Sequence, residues 1–147
     1  MASSNQQNYG SDFYAWTLQS ADLLRQKKFS ELDIEHLAEE IEDIGRSNRR
    51  ELLNRFAVLL AHLLKWRFQI ERRGNSWKYT IEEQRSELLS LLQESPSLKN
   101  ELASKKDQVY RSAVRRAATE TGLDKERFPD DCPFTLKQCL DFDFSPE

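Results

Sequence analysis

From Asn48 to Gln69 the chain is apolar around more than one side of a helix, and this run limits the folds open to it. Leu52, Leu53, Phe56, Leu59, Leu60, Leu63 and Leu64 recur at helical spacing and cover nearly half the circumference; Ala57, Val58, Ala61 and Phe68 widen that face. A helix this apolar sits centrally in a bundle. Turn formers point the same way. Four glycines and four prolines in 147 residues are too few for the many turns of a β-sandwich or barrel. A chain of this length buries roughly 68–70% of its unfolded surface, enough for a core without metal or disulfides. The fold class predicted is all-α: a compact bundle of four to five main helices, with a short irregular C-terminal segment packed on it.

The remaining helices follow from periodicity and punctuation. One is predicted from about Asp12 to Lys28, capped by Ser11 or Asp12, with Phe13, Trp16, Leu23 and Leu24 near one stripe. Another starts at about Asp33, where Ile34, Leu37, Ala38, Ile41 and Ile44 form an amphipathic stripe. Gly45 either ends that helix or lies inside a longer one, since an internal glycine costs only about 1 kcal/mol relative to alanine. After Arg73-Gly74-Asn75 a helix runs from about Ser76 to Glu94, with a start at Thr80 as the alternative, because Thr80 and Glu83 have capping-box spacing. Pro96 is placed at the first position of a fifth helix that ends near Thr121, with Gly122 as a left-handed cap. Beyond it, four Phe alternate with turn formers and predict a segment packed down on the bundle, with one short helical turn over Thr135 to Leu140.

Residues 1–10 read as a disordered polar tail and residues 11–147 as one helical domain. The start lacks the basic and apolar regions of a secretory signal. No window holds eighteen consecutive apolar residues, so no membrane association is expected. Cys132 and Cys139 match neither a redox pair nor a zinc knuckle. In a cytoplasmic protein they read as reduced packing residues.

Together these segments resemble a known family. Its carriers are Leu32-Asp-Ile-Glu-His-Leu-Ala-Glu-Glu-Ile-Glu-Asp-Ile-Gly45, Leu60-Ala-His-Leu-Leu-Lys-Trp66, Ser76-Trp77 with Thr80-Ile81, Ser95-Pro96-Ser97-Leu98 and Cys132-Pro133-Phe134-Thr135. The opening Tyr9 to Trp16 fits as well. The set is similar to the bacterial family called domain of unknown function 29, over about Tyr9 to Pro146. The resemblance implies an all-α, cytosolic, bacterial protein. It implies no activity and transfers no functional residue.

Three constellations remain as candidates. His36 with Glu39 and Glu40 places ligand types on neighbouring turns, and His62 adds a second imidazole, so His36, Glu39, Glu40 and His62 form a candidate metal or acid/base set. Against it, the Glu-x-x-His order of di-iron bundles is reversed and occurs once, and His36 lies roughly 140° from the centre of its helix's apolar stripe. Hydrogen-bonded structural histidines are the plainer reading. The second constellation is Lys65, Trp66, Arg72, Arg73, Trp77 and Lys78, with Arg67 and Tyr79 between them and Arg46, Arg49 and Arg50 as an extension. Cations interleaved with aromatics suit nucleic acid, but the chain is acidic, with net charge −3 and a pI near 5.5. The stretch from Glu31 to Asp43 holds seven acids and no Lys or Arg. It could answer the basic segment side by side within the fold. The third candidate is a protein partner or a homo-oligomer, because the central helix is apolar on more than one side and Trp16, Trp66 and Trp77 add further apolar surface.

No P-loop, Rossmann or nucleophile-elbow motif occurs, so no catalytic residue and no cofactor is assigned. The expectation is a non-enzymatic cytoplasmic interaction protein. The alternatives are a metalloprotein or hydrolase at His36/His62, and a nucleic-acid binder through residues 65–79.

Overall fold

The computed structural model describes residues 3–147. All regular structure among them is helical: α1 (Ser4–Ser11), α2 (Phe13–Arg25), α3 (Ile34–Phe68), α4 (Asn75–Glu94), α5 (Leu98–Thr121) and α6 (Leu136–Leu140). The all-α class is as the sequence predicts.

Helix α1 replaces most of the predicted disordered tail; residues 1 and 2 lie outside the described residues. Its sequence is polar on every side, so periodicity gave no signal. A capping box holds it instead, with the Ser3 hydroxyl accepting from the Gln6 N–H and the Gln6 side chain accepting from the Ser3 N–H. The Asp12 carboxylate then caps α2 by accepting from the Ala15 N–H.

Of the two readings of Gly45, the continuous helix is the one found, and α3 runs through it unbroken. Residues 41–48 are all exposed, so nothing packs against the glycine to bend the chain there, and the helical hydrogen bonds on both sides outweigh its propensity cost. Contacts divide the chain into two compact units, Met1–Ser47 and Asn48–Glu147, where the sequence predicts one domain over 11–147.

The first unit is small and includes a buried polar network. The Asn5 amide donates to Ser20 Oγ at 3.0 Å, and its carbonyl accepts from the Asp33 N–H at 2.7 Å. Asn5, Ser20 and Asp33 are all buried, and Asn5 provides a partner for each of the other two, as buried polar groups require.

The second unit is a conventional helical core. Leu52, Phe56, Leu59, Leu60, Leu63 and Leu64 of α3 are fully buried, as their spacing predicts. Leu88 of α4 and Leu102, Ala113 and Ala117 of α5 meet them. Helix α4 starts at Asn75 rather than Thr80, whose hydroxyl donates to the Ser76 carbonyl. Helix α5 starts at Leu98, leaving Pro96 in the turn before it. Gly122 takes φ 75°, the left-handed cap predicted for it. The C-terminal segment packs down through buried Phe128 and Phe134, with Phe134 edge-on to Phe144. Thr135 and Gln138 form a capping box at α6. Phe142 remains exposed.

Candidate functional site

Helices α2 and α3 of the first unit frame an open groove of about 400 Å³. Phe13, Trp16 and Leu24 form one wall. They recur at three and eight residues on α2 and so share a face. Leu37, Ile41 and Ile44 form the other wall, four and then three residues apart on α3, with Glu40 among them. The sequence reads both as stripes on the faces of helices. In the structure both stripes lie largely open: Phe13 is 49% exposed, Ile41 61% and Ile44 64%, and Ile34 and Leu24 are exposed as well. Periodicity identifies an amphipathic helix, but it does not say what covers the apolar face. Only Trp16, 2% exposed, is deeply buried, and its indole N–H is the one buried side-chain donor among the described residues without a hydrogen-bond partner.

Beside the groove an aromatic and acidic cluster fastens α1 to α3. The Tyr9 hydroxyl donates to Glu40 Oε1 at 2.7 Å. The Tyr9 ring stacks on His36, centroids 3.8 Å apart, and meets Trp16 edge-on. His36 Nδ1 donates to Asp33 Oδ2 at 2.5 Å, and the Asp33 backbone is itself held by Asn5. The hydrogen bond to Glu40, first among several acidic influences, raises the Tyr9 pKa to about 12. The hydrogen bond to Asp33 raises that of His36, against a smaller opposing effect of burial.

His62 lies 26 positions further along α3, in the other unit. Its Nδ1–H donates to the Val58 carbonyl at 2.9 Å, and burial lowers its pKa. Each histidine of the candidate metal set therefore has its own local partner. Glu40 is taken by Tyr9, and Glu39 is exposed. Among the described residues no group of three or more His, Cys, Asp or Glu side chains is arranged to hold a metal ion.

The two histidines are expected to titrate in opposite directions from the ordinary value of 6.5, His36 above it and His62 below. His36 then contributes stability below 6.5 that is lost as pH rises through its folded value. His62 contributes stability above 6.5 that is lost as pH falls through its folded value. NMR titration of the two imidazoles checks this, and a His36 value at or below 6.5 would disprove the Asp33 pairing in solution.

Two cations of the basic segment find partners within the second unit. Lys65, buried by its neighbours, donates to Glu120 at 2.6 Å and lies 5.2 Å from the Trp77 ring centre. Arg73 donates to the Trp66 carbonyl at 2.6 Å and covers the Trp66 ring at 5.2 Å. Of the six candidate nucleic-acid residues, Arg72 and Lys78 are exposed. The cation–aromatic alternation thus builds internal cation–π contacts. The acidic stretch likewise finds a local partner, with Glu42 and Asp43 pairing to Arg46 one turn on.

Cys132 and Cys139 are free thiols whose pKa values burial raises, that of Cys139 to about 12. Cys139 is fully buried and Cys132 half-buried, and a raised pKa disfavours the reactive thiolate. Sequence reasoning missed the roles of Asn5, Tyr9 and Asp33, which depend on contacts across 28 to 31 residues. It also missed the groove. Its only trace was a run of acids flanking an isoleucine stripe.

No helix among the described residues is long and apolar enough to cross a membrane. No curated protein and no solved structure matches the chain. A family model does, over residues 8–145, and the chain belongs to the family described as Domain of unknown function DUF29.

Proposed function

We propose that this is a non-enzymatic cytoplasmic interaction protein whose first unit receives a cationic amphipathic helix from a protein partner. The observation that carries the reading is the exposed groove between α2 and α3. Large apolar side chains sit in solvent on both of its walls, and exposed apolar patches rimmed by polar residues mark interaction sites. Grooves between helices accept amphipathic helices through anchors at helical spacing.

Charge selects the occupant. The α3 side of the groove belongs to the stretch with seven acids and no Lys or Arg. A basic helix would place its apolar face against Ile41 and Ile44 and its cations over Glu39, Glu40 and Asp43. A second copy docking through the same surface would oppose acid to acid, and like charges across an interface are costly.

A synthetic leucine–lysine amphipathic helical peptide is the direct probe, with a leucine–glutamate counterpart and a scrambled leucine–lysine sequence as controls. The lysine peptide is expected to bind saturably and to weaken with salt. In Ile41→Asp/Ile44→Asp, two exposed positions whose change spares the core, binding is expected to fall by at least about tenfold, or 1.4 kcal/mol. Equal binding of the glutamate or scrambled peptide would overturn the proposal. So would a concentration-dependent dimer that Ile41→Asp/Ile44→Asp dissociates, which would make the occupant a second copy.

A further inference from the structure

Arg85 is an unusual residue for the middle of a helix stripe. It falls between Ile81 and Leu88 on the buried face of α4 and is itself only 2% exposed. Its Nε donates to the Cys139 carbonyl at 2.8 Å and its Nη2 to the Gln138 carbonyl at 3.3 Å. These are carbonyls at the end of α6, where the last turn leaves acceptors unsatisfied. That clamp uses two of the three guanidinium nitrogens. Nη1 has no hydrogen bond within the described residues, yet it is not among the atoms sealed from solvent. No carboxylate among them lies within ion-pair distance of Arg85; Glu82 and Asp141 act on it only from further away. A buried guanidinium keeps its charge, and a buried charge without a counter-ion is costly.

Arg85 also lines a cavity of about 270 Å³ in the second unit. Trp66, Ile81 and Phe144 supply apolar wall, and Lys78 brings a second cation. Glu82 is the one acid in the lining. Arg85, with one nitrogen of its fork unused, thus borders a small, mostly apolar space with a second positive charge at hand. Planar guanidinium groups match carboxylates in shape and charge.

We infer that this cavity is a binding site for a small apolar monocarboxylate. Its carboxylate would sit on Arg85 Nη1 and within reach of Lys78, with its hydrocarbon or aromatic body against Trp66, Ile81 and Phe144. The volume lies just below that of drug-sized pockets, which limits the ligand to a compact acid. Glu82 sets the specificity, because a second negative charge on the ligand would meet it. The inference stands apart from the α2–α3 groove, since every residue it uses belongs to the other unit.

Phenylacetate is a suitable probe, compared with its neutral amide and with phenylmalonate, and followed by NMR shifts of the Trp66 indole in the full chain. Saturable binding of phenylacetate is expected, at least tenfold tighter than either comparison compound. Arg85→Lys keeps the charge but loses the planar fork and is expected to weaken binding at least tenfold. That variant could also loosen α6, so Ser145→Trp provides the independent arm. Ser145 is exposed and lines the cavity, and a large ring there should block the ligand while the Arg85 clamp stays intact. Absence of saturable binding, equal binding of the neutral amide, or full binding by Ser145→Trp would each overturn the inference.

Discussion

Phe56→Ala is expected to lower the unfolding free energy by about 3–5 kcal/mol. Phe56 is fully buried on α3, in the same cluster as Leu60, Leu63, Leu88 and Ala113. Truncation removes the transfer energy of the ring and leaves a void that rigid helices on several sides cannot close. Leu63→Ala should cost about 2–5 kcal/mol for the same reason. Chemical denaturation followed by circular dichroism measures both. A loss below about 1 kcal/mol for Phe56→Ala would place it in the range of an average substitution and show that this face of α3 is not the core.

Asn5→Ala tests a different kind of cohesion. Its side-chain carbonyl is the acceptor for the buried Asp33 N–H, and its amide serves Ser20 and Gln19. Removing it leaves a buried donor unpaired, a cost of about 1–3 kcal/mol. The loss should be local: faster amide hydrogen exchange within residues 4–37, with protection of α4 and α5 unchanged. Unaltered exchange in α1 and at the start of α3 would mean that the polar network is not what holds the first unit.

The second unit was legible because its helices obey the rule that apolar residues three and four apart face a common core. Leu59, Leu60 and Leu63, the Gly122 cap and the descent of Phe128 and Phe134 all follow from local pattern plus burial. The first unit defeated that rule twice. Helix α1 has no apolar face to reveal it, and Ser3 and Gln6 define it by capping alone. In α3 the stripe of Ile34, Ile41 and Ile44 is as regular as any core stripe, yet it lies open. Pattern reports the face and not its cover. The histidines show the same limit. His36 and His62 were visible as chemistry-bearing residues, but their partners, Asp33 and the Val58 carbonyl, decide that each is locally satisfied. Arg85 left no mark as a site residue, because a lone cation in a helix stripe gains meaning only once α6 and the cavity lie beside it.

The placement of Cys139 has a practical consequence. Its thiol is fully buried in α6, and its own carbonyl is gripped by Arg85. Alkylating reagents attack the thiolate, and a thiol held near 12 and shielded from solvent is silent to them until the C-terminal segment lifts. Cys132, the only other cysteine, is half-buried and serves as an internal reference. The wild-type chain thus carries its own clock for the opening of that segment, read from the labelling rate of Cys139 against that of the more accessible Cys132.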